Sequence, residues 1–308
     1  MIINKKEFNE NYRDQLLFIN FNCGGLGNFF GGFFSAMDFY YMYKLNITHK
    51  FVCISNAHVC GDVSITDFFT FNDNIILLNN NKEEKEFGIN YPDNMVKLPH
   101  PYNHINECPP LDIKIKSVFY SNNFICVNDL NNIILAKKYF KIELLENIKQ
   151  KISFFVKDNN INKNTLGIHY RGTDGESQHA VNNTKIKFFN NLSNKINNYK
   201  TYFICSDDSS MENYLVTKLN GIVYKKNTNV VKIPGFENCE WRLNAHEQRL
   251  LYDKYKINCE FNVYRSLNHC IDGFIDAAIL GHCDIVSNIY SSFDTLGIFI
   301  YNLYFSDR

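Results

Sequence analysis

Thr165-Leu-Gly-Ile-His-Tyr-Arg-Gly-Thr-Asp174 decides the fold of this chain. Leu166, Gly167 and Ile168 form a short apolar run that predicts a buried strand. The run ends on His169 and Arg171, then breaks at Gly172 into a polar loop with Thr173 and Asp174. Open α/β sheets place ligands where strand ends give way to loops. An arginine there offers a fixed fork of donors suited to phosphate oxygens, which makes Arg171 a candidate for the diphosphate of a nucleotide-sugar. A surface carboxylate would hold the same arginine, so this stretch by itself leaves both readings open.

Strands and helices alternate outward from it in both directions. Downstream, the apolar spacing predicts helices over 186–199, 211–219, 244–255, 268–280 and 291–303. Strands are expected at 201–205, 222–224 and 284–287. Upstream, strands are expected at 16–21, 51–54, 75–78, 117–120 and 123–127, with helices over 29–45 and 143–156 and an irregular excursion at 82–110. The polar run Asp158-Asn-Asn-Ile-Asn-Lys-Asn164 reads as a linker. The pattern predicts parallel sheets in two α/β domains, residues 1–158 and 159–308, with the cleft between them as the default ligand site.

Composition narrows the class. The chain has 308 residues, enough for two domains of ordinary size, and 45% of them are hydrophobic. Lys and Arg number 32 and Asp and Glu number 32, so there is no electrostatic footprint for nucleic acid or an anionic membrane. No apolar run reaches the roughly 18 residues that cross a bilayer, and the start lacks the marks of a signal peptide. The ten cysteines are scattered without a Cys-x-x-Cys pair, the pattern of reduced core thiols in a cytosolic protein rather than a zinc site. Nothing in the sequence sets the oligomeric state.

Four patches sit at strand-to-loop transitions: Gly24–Asn28, His169–Asp174, Ser206–Ser209 and Asn288–Asp294. They supply backbone N–H groups, an arginine, carboxylates and a serine-led helix start, a set that suits a nucleoside diphosphate. The Gly-rich segment departs from the dinucleotide G-x-G-x-x-G spacing, and no P-loop occurs. Asp207-Asp208 looks like a metal-binding pair but reads better as a turn with a helix cap. Asp272 reads as a first-turn carboxylate favoured by the helix dipole. His246, His269 and His282 have no ligand spacing.

His169-Tyr-Arg-Gly-Thr-Asp174 resembles the His-x-Arg-x-Thr-Asp motif of the α1,6- and protein O-fucosyltransferase superfamily, which includes the rhizobial nodulation enzymes. Gly24-Gly-Leu-Gly-Asn28 is similar to the Gly-rich start shared with α1,2-fucosyltransferases. Asp272-Gly-Phe-Ile-Asp276, Gly281-His-Cys-Asp284 and Ser291-Ser-Phe293 resemble the third shared motif. Residues 45–160 and 225–262 have no counterpart in these motifs.

The resemblance implies a GT-B-like fold, two Rossmann-like domains facing across a cleft. It implies an inverting, metal-independent enzyme that moves fucose from GDP-fucose to a hydroxyl of a glycan or glycoprotein acceptor, with no cofactor. His169 and Asp276 would meet the guanosine, with Asp276 accepting from guanine N–H groups. Arg171 would meet the β-phosphate, and Asp174 would order the loop. Ser291 and Ser292 would approach the phosphates from the helix start, and Gly25, Gly27 and Asn28 would do so from the first domain. The α1,6 enzymes carry a glutamate ten positions after the motif histidine, where this chain has His179. Glu176 lies three residues earlier. Either can take a proton, and Glu176 is favoured because a loop shifts easily. Two other readings stay open: the same fold with another nucleotide-sugar, and a non-catalytic nucleotide-sugar or glycan-binding protein.

Overall fold

The computed structural model describes residues 2–3, 17–20, 26–27, 29–30, 33–34, 50–54, 56–57, 63–73, 75–78, 96–97, 119–121, 130–172, 181–225, 233–236, 243–255, 266–288 and 292–306. The chain divides into two compact units, the first essentially residues 1–145 and the second 146–308. Both are built on parallel β-sheet with helices, as the alternating pattern predicts.

The first unit holds a six-stranded sheet. Its strands are β1 (Ile2–Ile3), β2 (Leu17–Asn20), β3 (Lys50–Ile54), β4 (Ile75–Leu78), β5 (Val96–Lys97) and β6 (Phe119–Ser121). They lie in the order β1-β4-β3-β2-β6-β5, and every pairing is parallel. The order reverses at β2, so the Gly-rich segment follows the switch strand. Leu26 and Gly27 are already helical and buried, so the helix starts before the expected Phe29. Phe29, Phe30, Phe33 and Phe34 are also helical and buried. Phe30 meets Phe68 edge-on at 4.8 Å, and Phe34 meets Phe69 edge-on at 6.0 Å, geometries that aromatic quadrupoles favour. The strand at β5 lies inside the segment expected to be irregular.

Helix α1 (Leu130–Phe140) closes the first unit, where no helix was expected. Ile133, Ala136 and Phe140 are fully buried at helical spacing. Helix α2 (Glu146–Asp158) follows, and it packs with the second unit rather than the first. Its Ile148 and Ile152 are buried, and Phe155 stands edge-on to Phe203 at 6.1 Å. The packing boundary therefore precedes this helix, while the sequence boundary at 158/159 follows it.

The second unit is organised by β7 (Thr165–Tyr170), buried over its whole length. It pairs in parallel with β8 (Thr201–Ser206) on one side and β9 (Asp284–Ser287) on the other. Ile222 adds a parallel bridge outside β8. The helices are α3 (Val181–Ile196), α4 (Ser209–Leu219), α5 (Ala245–Tyr255), α6 (Leu267–Leu280) and α7 (Ser292–Tyr304). Leu166, Ile168 and Tyr170 point to one face, where Phe188, Leu192, Met211 and Leu215 cover them. The other face carries Gly167 and His169 and lies under α6 and α7. A Cβ on Gly167 would come within 2.7 Å of both Leu280 Cδ1 and Cys283 Cβ, so only glycine lets the end of α6 settle there. Helices α6 and α7 meet backbone to backbone: a Cβ on Gly297 would lie 2.2 Å from the Ala277 carbonyl oxygen.

Cys205, Cys270 and Cys283 are buried thiols, as their apolar settings imply. Among the described residues, no helix is long and apolar enough to cross a membrane.

Candidate functional site

Strand β7 is where the strand order of the second sheet reverses, so its C-terminal end opens onto the topological switch point. His169 is the penultimate residue of that strand and Arg171 the first residue beyond it. The end of β9 holds this exit in place. Asn288 Oδ1 accepts from the Arg171 N–H at 2.9 Å, and Asn288 Nδ2 donates to the Arg171 carbonyl at 2.9 Å. The Asn288 N–H donates to the His169 carbonyl at 3.3 Å. One amide thus bonds both main-chain groups of Arg171; the sequence places Asn288 in a candidate patch but does not reveal this clamp.

The end of β8 holds the next residue. Gly172 N–H donates to Asp207 Oδ1 at 2.7 Å. A Cβ on Gly172 would stand 2.5 Å from Asp208 Cβ, so the loop passes where only glycine fits. Asp208 is the N-cap of α4, as expected of the Ser-Asp-Asp turn, and accepts from the N–H groups of Ser210 and Met211 at 2.9 and 3.1 Å. Burial alone would raise its pKa, but bonds from Ser210 Oγ and the two amides outweigh it and hold the carboxyl below its ordinary value.

His169 turns inward, 6% exposed. Its Nδ1 lies 2.9 Å from Asp294 Oδ1, and Asp294 is 0% exposed. The Phe293 ring covers the imidazole at 4.8 Å, tilted by 32°. Ser292, Phe293 and Asp294 are the first three residues of α7, so one helix start supplies the cover, the carboxylate and a partly accessible serine.

Asp276 joins this group through Cys205. Cys205 stands opposite His169 in the β7–β8 register. Burial raises the Cys205 thiol well above its ordinary pKa, and the nearby Asp276, Asp294, Cys283 and Glu212 add to it. Asp276 keeps some accessible surface, yet burial first, then Glu212 and Asp272, push its carboxyl well above the usual range. Glu212 is buried in the first turn of α4 and was missed from the sequence. Asp272 is not a first-turn carboxylate: α6 begins at Leu267 behind the cap Ser266, and Asp272 pairs with Lys225 at 2.6 Å.

The structure therefore brings His169 against the start of α7 and fixes the backbone of Arg171 beside them, with Asp276 near enough to Cys205 to act on its thiol. Gly27 is buried in the first unit. Gly25, Asn28, Asp174, Glu176, His179 and Ser291 lie outside the described residues. His282 sits away from the site, its ring against Tyr301 at 4.8 Å and Phe305 at 5.1 Å.

No protein-family model matches the sequence, and no curated protein sequence does. Solved structures do match. Fucosyltransferase NodZ from Bradyrhizobium aligns over 92% of this chain and 93% of its own, at 12% identity and a TM-score of 0.51. NodZ α1,6-fucosyltransferase co-crystallised with GDP aligns over 92% of each chain, at 11% identity and a TM-score of 0.53. The same enzyme soaked with GDP-fucose aligns over 93% of this chain and 92% of its own, at 11% identity and a TM-score of 0.52. At such identity the likeness lies in the backbone, and this chain has the fold of the α1,6-fucosyltransferase NodZ.

Proposed function

We propose that the protein is an inverting, metal-independent fucosyltransferase that uses GDP-fucose and acts on a hydroxyl of a glycan or glycoprotein. The reading takes the two units as Rossmann-like domains of a GT-B-like enzyme, with the donor held by the second. One observation carries it: the His169-x-Arg171 motif sits at the C-terminal end of the switch strand, with Arg171 latched by Asn288 and His169 beside the start of α7. The solved relatives of this fold include one soaked with GDP-fucose.

Asp276 takes the guanine edge. As a carboxylate it accepts from two N–H groups, and those donors pull its pKa back toward the ordinary range. Arg171 faces the β-phosphate. The acceptor oxygen attacks the anomeric carbon from the side opposite the diphosphate, the bond from that carbon to the β-phosphate oxygen breaks, and GDP departs. Negative charge gathers on the leaving oxygen, where a positioned guanidinium and the first N–H groups of α7 are each worth about 3–4 kcal/mol of barrier. Glu176 or His179 takes the acceptor proton. Ser291 and Ser292 contact the phosphates, Asp174 orders the loop, and Gly25, Gly27 and Asn28 meet the diphosphate from the first domain.

Calorimetric titration with GDP, UDP and GDP-fucose tests this reading. Binding of GDP and GDP-fucose without UDP is the expected result. Equal binding of UDP removes the guanine assignment, and no binding of any nucleotide removes the donor site.

A further inference from the structure

We propose that Asp294 is a positioning residue that sets the hydrogen-bonding character of His169 toward the bound nucleoside. The proposal rests on the donor reading above and concerns how that site tells one polar group from another.

The argument begins with what a carboxylate can do. We take Asp294 as ionised; it then only accepts, and the 2.9 Å contact calls for a proton on His169 Nδ1. In the neutral imidazole this leaves Nε2 as an acceptor. Such a nitrogen receives a hydroxyl or an N–H, and it repels a phosphate oxygen. His169 then addresses the nucleoside part of the donor, and Arg171 keeps the phosphates to itself. The ring has little freedom to do otherwise. Phe293 lies over it, and the carboxylate comes from the adjacent residue of the same helix start.

A purely architectural role accounts poorly for this pair. The same face of β7 is otherwise served by Gly167, with Leu280 and Cys283 packed onto it. Taking a carboxylate to 0% exposure is costly unless it is well bonded, and an apolar pair would fill the space more cheaply. A His–Asp pair at the ligand end of a strand, with the carboxylate on the inner side, is the arrangement that fixes a tautomer for an outer partner.

The test uses the Asp294→Asn variant of the full chain. An asparagine keeps the shape, but its amide can donate to Nδ1 and so favour the Nε2–H tautomer. Long-range proton–nitrogen spectra of histidine-labelled protein read the tautomer directly. The wild type should carry its proton on Nδ1 and the variant on Nε2. The variant should bind GDP and guanosine about tenfold more weakly, the loss of one good hydrogen bond, while competition by inorganic pyrophosphate stays as in the wild type.

A wild-type ring that carries a proton on Nε2, alone or together with Nδ1, overturns the proposal, and this holds even where the variant fails to fold. So does a variant whose tautomer changes while GDP and guanosine bind as before, or one that loses pyrophosphate instead. Failure of the wild type to bind GDP overturns the donor reading and the role of Asp294 with it. Intact wild-type binding that the variant leaves unchanged overturns the role of Asp294 alone.

Discussion

Asn288 grips the main chain of Arg171 from both sides, accepting from its N–H and donating to its carbonyl, each at 2.9 Å. The strand that precedes Arg171 and the strand that precedes Asn288 are neighbours, so the clamp joins two sheet ends at the candidate site. Asn288→Ala should cost about 1–3 kcal/mol of stability, because both main-chain groups lose their partner. It should also weaken GDP binding, since Arg171 is no longer aimed. Denaturant unfolding and GDP titration on the same preparation check both effects, and unchanged binding in a destabilised variant would show that the clamp is only structural.

Arg171→Ala isolates the side chain from the clamp. The backbone bonds to Asn288 do not involve the guanidinium, so folding should be retained. Fucose transfer from GDP-fucose should fall by a hundredfold or more, in line with about 3–4 kcal/mol for one leaving-group contact. Near-normal turnover would sink the assignment of Arg171.

Gly172→Ala places a methyl group 2.5 Å from Asp208 Cβ. Either the loop or the start of α4 must move, at a cost of about 1–3 kcal/mol. Asp208→Ala removes only the cap and should cost about 1 kcal/mol. Thermal melts of both variants rank them, and the glycine variant alone should also disturb GDP binding.

Burial, then Lys163, lowers the pKa of His282 from 6.5 to about 4. The unfolded chain therefore takes up this proton first. Stability is full above pH 6.5, is lost as the pH falls from 6.5 to about 4, and loses nothing more from this residue below that. The loss amounts to about 3 kcal/mol. His282→Phe, against the rings of Tyr301 and Phe305, should flatten that part of the stability profile, and equal acid sensitivity in variant and wild type would refute it.

Asp276 shows the opposite sign. Burial and two neighbouring carboxylates raise its pKa, so its folded form is favoured while protonated. The folded state loses ground as the pH rises from the ordinary carboxylate value through the raised one. Asp276→Asn removes that penalty. The variant should gain stability over the wild type, more at pH 7 than at pH 4, yet lose GDP binding. A variant that binds GDP normally would take the guanine contact away from Asp276.

The strand pattern was legible because parallel strands covered on both faces read as short apolar runs. β7 and β9 lie where their apolar runs do, the Ser-Asp-Asp turn marks the cap of α4, and the apolar spacing marks α6 to within one residue of its start. Helix α1 escaped notice because Ile133-Ile-Leu-Ala136 is an apolar run of strand length behind two asparagines, and its buried face shows only once Phe140 is counted. In the candidate site, the placing of His169 and Arg171 at the exit of a strand was legible, because the apolar run stops there. The roles of Asn288, Asp294 and Glu212 were not, because each acts on a group far away in sequence: Asn288 lies 117 residues from Arg171, and Asp294 lies 125 from His169. Asp272 lies past the first turn of α6, and its partner Lys225 is 47 residues away in sequence, so spacing along the helix does not reveal its role.

Where Gly281, Gly297 and Ala277 meet, the backbones of α6 and α7 cross with no room for a side chain on either glycine. Side chains can change rotamer to absorb a shift, but two touching backbones cannot. The wall that carries Asp276 and the first residues of α7 therefore behaves as a fixed gauge. Under the proposed donor reading, the nucleotide must match that wall as it stands.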